Sequence, residues 1–322
     1  IWPITWEPSL GILPPIKKLY VCRDEINRAV SVLIGCNGWS YEDWVGRFYP
    51  AALARKKEEW LRYYASYFPT VEVNNTFHRN PNEIMVNGWI RKGKPLKGFE
   101  YSLKMPRTVT HDAMMAMDGN KASMEATVFE ETCVRMLAEN GLLGTVMLQL
   151  PLTFQFGDEA LRTMETVLAS LETDKYRYAV EFRDRSWIDD GASLHPQASR
   201  LLSSYNVAAV KVDEVTFPPI QDTTADHAYI KLYGREREWS DDEDQRIGQD
   251  YLYSEDELRP WAETISRLDG EVDDVRVYFD NTGRARGTKN AFQLMSLLSI
   301  PHREKEVHMD DQPMMGSYIL HR

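Results

Sequence analysis

Cysteine is scarce in this chain: three residues in 322, Cys22, Cys36 and Cys133, none of them in a C-x-x-C pair. An odd, scattered set argues against a disulfide framework and a thiolate zinc cluster, and it fits a reducing, cytoplasmic setting. No run approaches the ~18 apolar residues of a membrane helix, so no membrane partner is expected. No signal peptide is expected either, because Pro3, Pro8, Pro14 and Pro15 interrupt any apolar stretch near the start. Bases are in deficit, 38 Lys and Arg against 49 Asp and Glu, for a net charge of −11. A field of that sign repels nucleic acid and anionic lipid at long range, while leaving room for a locally basic pocket. No G-x-G-x-x-G follows the first strand-like run, which removes the signature of an open dinucleotide-binding sheet.

What is present is alternation. Hydrophobic residues make up 43% of the chain, enough for a sizeable core. From Val32 onward, short β-rich runs alternate with helical stretches: 32–37, 70–76, 99–104, 145–150, 178–183, 207–213, 229–234 and 275–281. Eight strands in this length predict a (β/α)8 TIM-type barrel of one domain over 32–300, with an extension at 1–31 and a tail at 301–322. Helical spacing predicts helices over 56–67, 124–140, 158–171 and 290–298, the second ending at Gly141. Ser254 followed by Glu257 predicts a capping box. The sixth crossover, 213–227, holds Pro218-Pro219 and no helical period, so it reads as a loop. Residues 236–244 read as a solvated loop.

Side chains two apart on a strand share a face. Apolar residues occupy one parity in most runs, such as Val71 and Val73, or Val180 and Phe182. Placing that parity outward, under the helices, sends the other one into the barrel: Glu72 and Asn74, Lys104, Gln149, Glu181 and Arg183, Lys211 and Asp213, Lys231 and Asp280. Barrel interiors are ordinarily layers of Val, Ile and Leu, with catalytic groups at the C-terminal strand ends. A buried unpaired ion costs on the order of several kcal/mol, so these charges must pair or open to water. An ion-pair plug and a ligand site both satisfy that, and a charged cleft favours the site.

These residues carry a resemblance. The chain resembles the YecE-like family of unknown function (domain-of-unknown-function family seventy-two), whose members are TIM-barrel proteins. The resemblance rests on Ile34 to Tyr41, Val71 to Arg79, Lys104-Met105-Pro106 with Thr110-His111, Gln149-Leu150-Pro151 and Val180 to Arg183 with Ser186-Trp187. It continues through Tyr253-Ser254, Trp261-Ala262, Tyr278 to Asn281 and Asn290-Ala291. It implies the barrel and a shared polar pocket, and no activity. His78, Lys231 and Asp280 stand where Tyr, Arg and Asn are usual, which alters the pocket's charge balance.

Two carboxylates in unequal environments can divide acid and base work, so Glu72 and Glu181 are the first catalytic candidates, with Lys104, His111 and Asp213 beside them. Lys104 and Lys231 suit an anion, or a Schiff base if burial depressed one of them. Trp39, Asn74, Arg79, Gln149, Arg183, Trp187, Lys231, Asp280 and Asn281 are the candidate substrate-binding residues. Trp39, Tyr41, Trp44, Phe77 and Trp187 would stack on a ring or pack as a lid. The loop 281–287, with Arg284 and Arg286, is placed where barrels often hold phosphate. No cofactor is required. A divalent metal would use Glu72, Glu181, Asp213 and His111, types that suit Mg²⁺ or Mn²⁺, with the lysines competing. The reading is a hydrolase, isomerase or lyase for a polar or anionic small molecule, sugar- or phosphate-bearing. The alternatives are a nucleic-acid binder or phosphodiesterase, by fold analogy, and a non-catalytic scaffold.

Overall fold

A computed structural model describes residues 32–189, 191–235 and 250–304. The extension at 1–31, most of the tail and the loop at 236–244 lie outside the described residues. In chain order the elements are β1 (Val32–Asn37), α1 (Trp60–Tyr64), β2 (Thr70–Val73), α2 (Asn75–His78), α3 (Glu83–Gly93) and β3 (Glu100–Lys104). Then come α4 (Gly119–Phe129), α5 (Arg135–Glu139), β4 (Leu143–Gln149), α6 (Asp158–Ala169), β5 (Arg177–Glu181), α7 (Pro196–Ser204), β6 (Ala208–Ala209) and β7 (Lys211–Asp213). The last are β8 (His227–Leu232), α8 (Glu255–Asp269), β9 (Asp274–Phe279) and α9 (Arg286–Leu297).

All strand pairs are parallel, in the order β6-β5-β4-β3-β2-β1-β9-β8-β7. The two ends of that order, β6 and β7, are halves of one extended run broken only at Val210, whose N–H donates to Val180 O at 2.9 Å. The first half pairs with β5 and the second with β8, so the sheet curls into a TIM-type barrel of eight strand positions. Local signals hold at the helix ends. Gly141 takes φ +66°, and Ser254 and Glu257 form the reciprocal capping box of α8. The expected helix over 124–140 starts earlier, at the Asp118 cap, and passes through a π-helical turn at Glu130–Val134.

Register decides the faces, because partners in a parallel ladder point the same way. Asn37, Glu72 and Ser102 stand side by side, and so do Gly35, Tyr278, Lys231 and Val212. Val212 is therefore inward, and Lys211 and Asp213 face outward, against the expectation for this strand. The physical reason is the missing helix. Crossover 214–226 is a loop, so no helix of its own packs on the outer face of β7 to demand an apolar parity. Elsewhere the outward set is apolar and buried, for example Val71, Leu103, Val146, Leu148 and Val180, each at 0% exposure. Each such side chain contributes roughly 1.5–3 kcal/mol by leaving water.

Inside the ring the N-terminal end is plugged by ions. Arg276 grips Glu100 with Nε at 2.6 Å and Nη2 at 2.8 Å, and reaches Asp274 through Nη1. Arg177 holds the other oxygen of Asp274 at 2.6 Å. Above the plug, Tyr278 OH bonds Ser102 Oγ (2.7 Å) and Thr70 Oγ1 (2.5 Å). Here β4 carries a bulge: Ser102 faces two residues, Gly144 and Thr145, and accepts from the Thr145 N–H at 2.9 Å. A Cβ at Gly144 would meet Ser102 Oγ at 2.5 Å and Glu100 Oε1 at 2.7 Å, so a larger residue there would displace the Ser102 and Glu100 side chains.

Candidate functional site

At the C-terminal end of the ring the inward parity gathers two acidic clusters. Glu72, 0% exposed, receives Lys231 Nζ on Oε1 at 2.6 Å and the Tyr229 hydroxyl on Oε2. Lys104 Nζ stands 3.8 Å from the same Oε1. Lys231 also reaches Asp280 Oδ2 at 3.1 Å, and Asn37 Nδ2 donates to Asp280 Oδ1 at 2.5 Å. Burial opposes the Lys231 charge, but Asp280 and Glu72 outweigh it and hold the ammonium well above the usual lysine range. Burial, with Glu72 next, likewise holds the Tyr229 phenol well above its ordinary range.

Glu181 forms the second cluster. Tyr233 OH donates to its carboxylate, 2.7 Å from each oxygen, and Gln149 Nε2 donates to Oε1 at 2.8 Å while also contacting Tyr233 OH at 2.9 Å. Lys231 Nζ lies 4.8 Å from the centre of the Tyr233 ring, which joins the two clusters. Glu72 and Lys231 are fully sealed, whereas Lys104, Gln149, Asp280 and Arg183 retain 4–7% exposure. The less sealed side of the cluster therefore carries two cations, an amide and the Asp280 carboxylate.

A family model described as "Protein of unknown function DUF72" matches residues 33–315. This chain belongs to the DUF72 family. A DUF72 family protein of Thermotoga maritima MSB8 is 30% identical, with a TM-score of 0.72 over 83% of this chain and 99% of that one. A DUF72 family protein of Enterococcus faecalis V583 shares the fold at 19% identity, with a TM-score of 0.69 over 86% and 98%. No curated protein matches the chain.

The motifs that carry the DUF72 resemblance separate in space. Glu72, Lys104, Gln149, Glu181, Lys231 and Asp280 meet at the barrel end, and Arg183 follows two residues after Glu181, 7% exposed. His111 sits beside them on a π-helical turn, Thr108–Ala113, with Nδ1 on Thr110 Oγ1 at 2.8 Å and its ring 4.9 Å from Phe77. Lys104 Nζ lies 5.9 Å from that same Phe77 ring. Asn74 is half-buried at the start of α2, and Arg79 is exposed just past it.

Three substrate or catalytic expectations are corrected. Asp213 is outward, held by Arg235 through Nε and Nη2 at 2.8 Å and by Trp261 Nε1 at 2.5 Å, so it joins neither acidic cluster nor the expected metal set. Among the described residues no three His, Cys, Asp or Glu are placed to share a metal ion. Trp187 is fully buried against Phe154 and Phe182, with its N–H on Phe154 O, and Trp44 is likewise sealed with its N–H on Thr282 O. Both indoles serve packing. Trp39 rests by Tyr101 of the outward parity, ring centres 6.3 Å apart. Asn281 is a structural tie: its Nδ2 bonds Tyr251 O and Asn290 Oδ1, and Asn290 in turn clasps the Tyr253 backbone.

The loop expected to bind phosphate meets carboxylates instead. Asp43 Oδ2 accepts from the Arg284 N–H at 2.7 Å, and Asp250 stands 3.4 Å from Arg284 Nε and 2.5 Å from Arg286 Nε. Sequence reasoning missed Tyr229, Tyr233 and Asn37. The signal for the tyrosines was present, since both share the parity of Lys231 in the run 229–234. Among the described residues no helix is long and apolar enough to cross a membrane.

Proposed function

We propose that this DUF72 protein is an enzyme acting on a polar, anion-bearing small molecule at the C-terminal end of the barrel, with Glu181 as the proton-transfer group. One observation carries the reading: the two buried acids are held in unlike ways. Glu72 is locked by an ammonium and a phenol, and could exchange a proton only by breaking charge-assisted bonds. Glu181 takes two neutral donors on its carboxylate, the Tyr233 phenol and the Gln149 amide, which orient it. That division supports Glu181 as acid or base and Glu72 as the counter-ion that fixes Lys231. Lys104 and Arg183, on the side that retains exposure, would clamp a phosphate or carboxylate. The chemistry that fits is hydrolysis, or isomerisation or elimination, of a sugar- or phosphate-bearing substrate.

Thermal-shift screening with sugar phosphates, sugar acids and nucleotides tests this. A ligand at 100 times its Kd adds about 2.7 kcal/mol. The expected hit is lost in Lys104→Met and Arg183→Met, and survives in Glu181→Gln without turnover. A shift unchanged by both cation replacements would place the ligand elsewhere and sink the reading.

A further inference from the structure

One crossover of this barrel brings no helix. Between β7 and β8 the chain runs as the loop 214–226, and beside it lies a cavity of about 570 Å³. That volume falls within the roughly 300–1,000 Å³ typical of small-molecule sites. Its walls are ring-faced: Phe217, Pro218 and Pro219 from the loop, Pro260 and Trp261 from α8. Prolines and a buried indole have little side-chain freedom to lose, so such walls are ready before a ligand arrives.

Charge in this cavity runs against the chain as a whole. Arg185, Lys211, Arg235 and Arg267 face Asp213 and Glu214, four bases to two acids, in a protein of net charge −11. Two of the bases are committed. Lys211 Nζ donates to the carbonyls of Ile220, Gln221 and Asp222 at 2.7–3.2 Å, and Arg235 clamps Asp213. The other two hold capacity. Arg185 uses Nε on Thr216 O at 2.9 Å, and Arg267 uses Nη1 on Glu271 at 2.8 and 3.0 Å. Among the described residues, each guanidinium keeps two further nitrogens for a ligand. The local field agrees, since burial and then Arg267 push the Lys211 ammonium down to about 8.

We propose that this flank cavity is a second binding site, for a small aromatic anion. Its ring system lies between the proline and indole walls, and its phosphate, sulfonate or carboxylate sits on Arg185 and Arg267. The site is on the opposite face of the sheet from Glu181 and is independent of the function proposed for the barrel end.

Isothermal titration with 1-naphthyl phosphate tests it, with 1-naphthol and inorganic phosphate as half-ligands. Saturable one-site binding is expected, with each half-ligand at least tenfold weaker. Arg267→Glu weakens the complex at least tenfold. Val215→Trp abolishes it by filling the cavity from a side chain already 46% exposed, with circular dichroism and Tm unchanged. Lys104→Met, which removes a barrel-end cation, binds as the wild type does. Absence of saturable binding overturns the proposal, as does binding indifferent to both Arg267→Glu and Val215→Trp. Loss in Lys104→Met alone would move the ligand to the barrel end and also overturn it.

Discussion

The two ends of the barrel interior solve the same problem differently. Both bury ions where Val and Leu layers are usual. At the N-terminal end the base is an arginine, Arg276, whose planar fork meets Glu100 in bidentate fashion and Asp274 besides, with Arg177 completing the set. At the C-terminal end the sealed base is a lysine, Lys231, a point charge shared between Glu72 and Asp280, and the second acid, Glu181, takes a phenol and an amide. The first arrangement is geometrically closed and has the form of a plug. The second joins its acids through a single ammonium, a phenol and an amide. A sequence that reads as "plug or site" folds into a plug at one end and, on the function proposed above, a site at the other, separated by the Tyr278–Ser102–Thr70 layer.

The contrast is broken most directly at the plug. Arg276→Met leaves Glu100 and Asp274 sharing too little positive charge, and breaking a buried pair costs about 3–5 kcal/mol. Urea unfolding should show that loss with no change in ligand response at the barrel end. A loss under about 1 kcal/mol would remove the plug from the comparison.

Glu72→Gln should cost less, about 2 kcal/mol, because a charge-assisted hydrogen bond is lost while Asp280 still answers Lys231. Equal losses for Arg276→Met and Glu72→Gln in the same urea titration would erase the distinction between the two ends.

Glu181→Gln sharpens it further. The amide keeps the shape and a carbonyl acceptor for Tyr233, so stability should shift by no more than about 1 kcal/mol while turnover falls at least about 100-fold. A stability loss above about 3 kcal/mol with ligand response intact would make the upper cluster a second plug.

The smallest effect is in alkali. Burial holds the phenols of Tyr229 and Tyr278 above their ordinary range, assisted by Glu72 and Glu100 respectively. A group whose folded value is raised keeps its proton longer in the folded chain. Its stabilising contribution is therefore full below about pH 10 and lost as pH rises beyond that. Absorbance at 295 nm should show late-titrating phenols that ionise together with unfolding, one fewer in Tyr229→Phe. Free titration of all tyrosines near pH 10 in the folded state would contradict the sealed layer.

Much of this was legible along the chain because its causes are local. Period-two alternation marked the strands, and Glu72, Lys104, Glu181 and Lys231 fell on one parity because their neighbours Val71, Leu103, Val180 and Ile230 had to meet helices. The capping box at Ser254, the Gly141 stop and the helix-free crossover at Pro218-Pro219 are short-range signals of the same kind. What a period cannot supply is which of two faces is roofed, or who stands across the ring. Lys211 and Asp213 alternate just as Glu72 does, yet face outward, because the crossover above them carries no helix to pack against. Tyr229 meets Glu72 across 157 positions, and Arg276 meets Glu100 across 176. Alternation along one strand fixes only relative facing; register between strands and the placement of helices over them fix the absolute direction, and those exist only once the ring has closed.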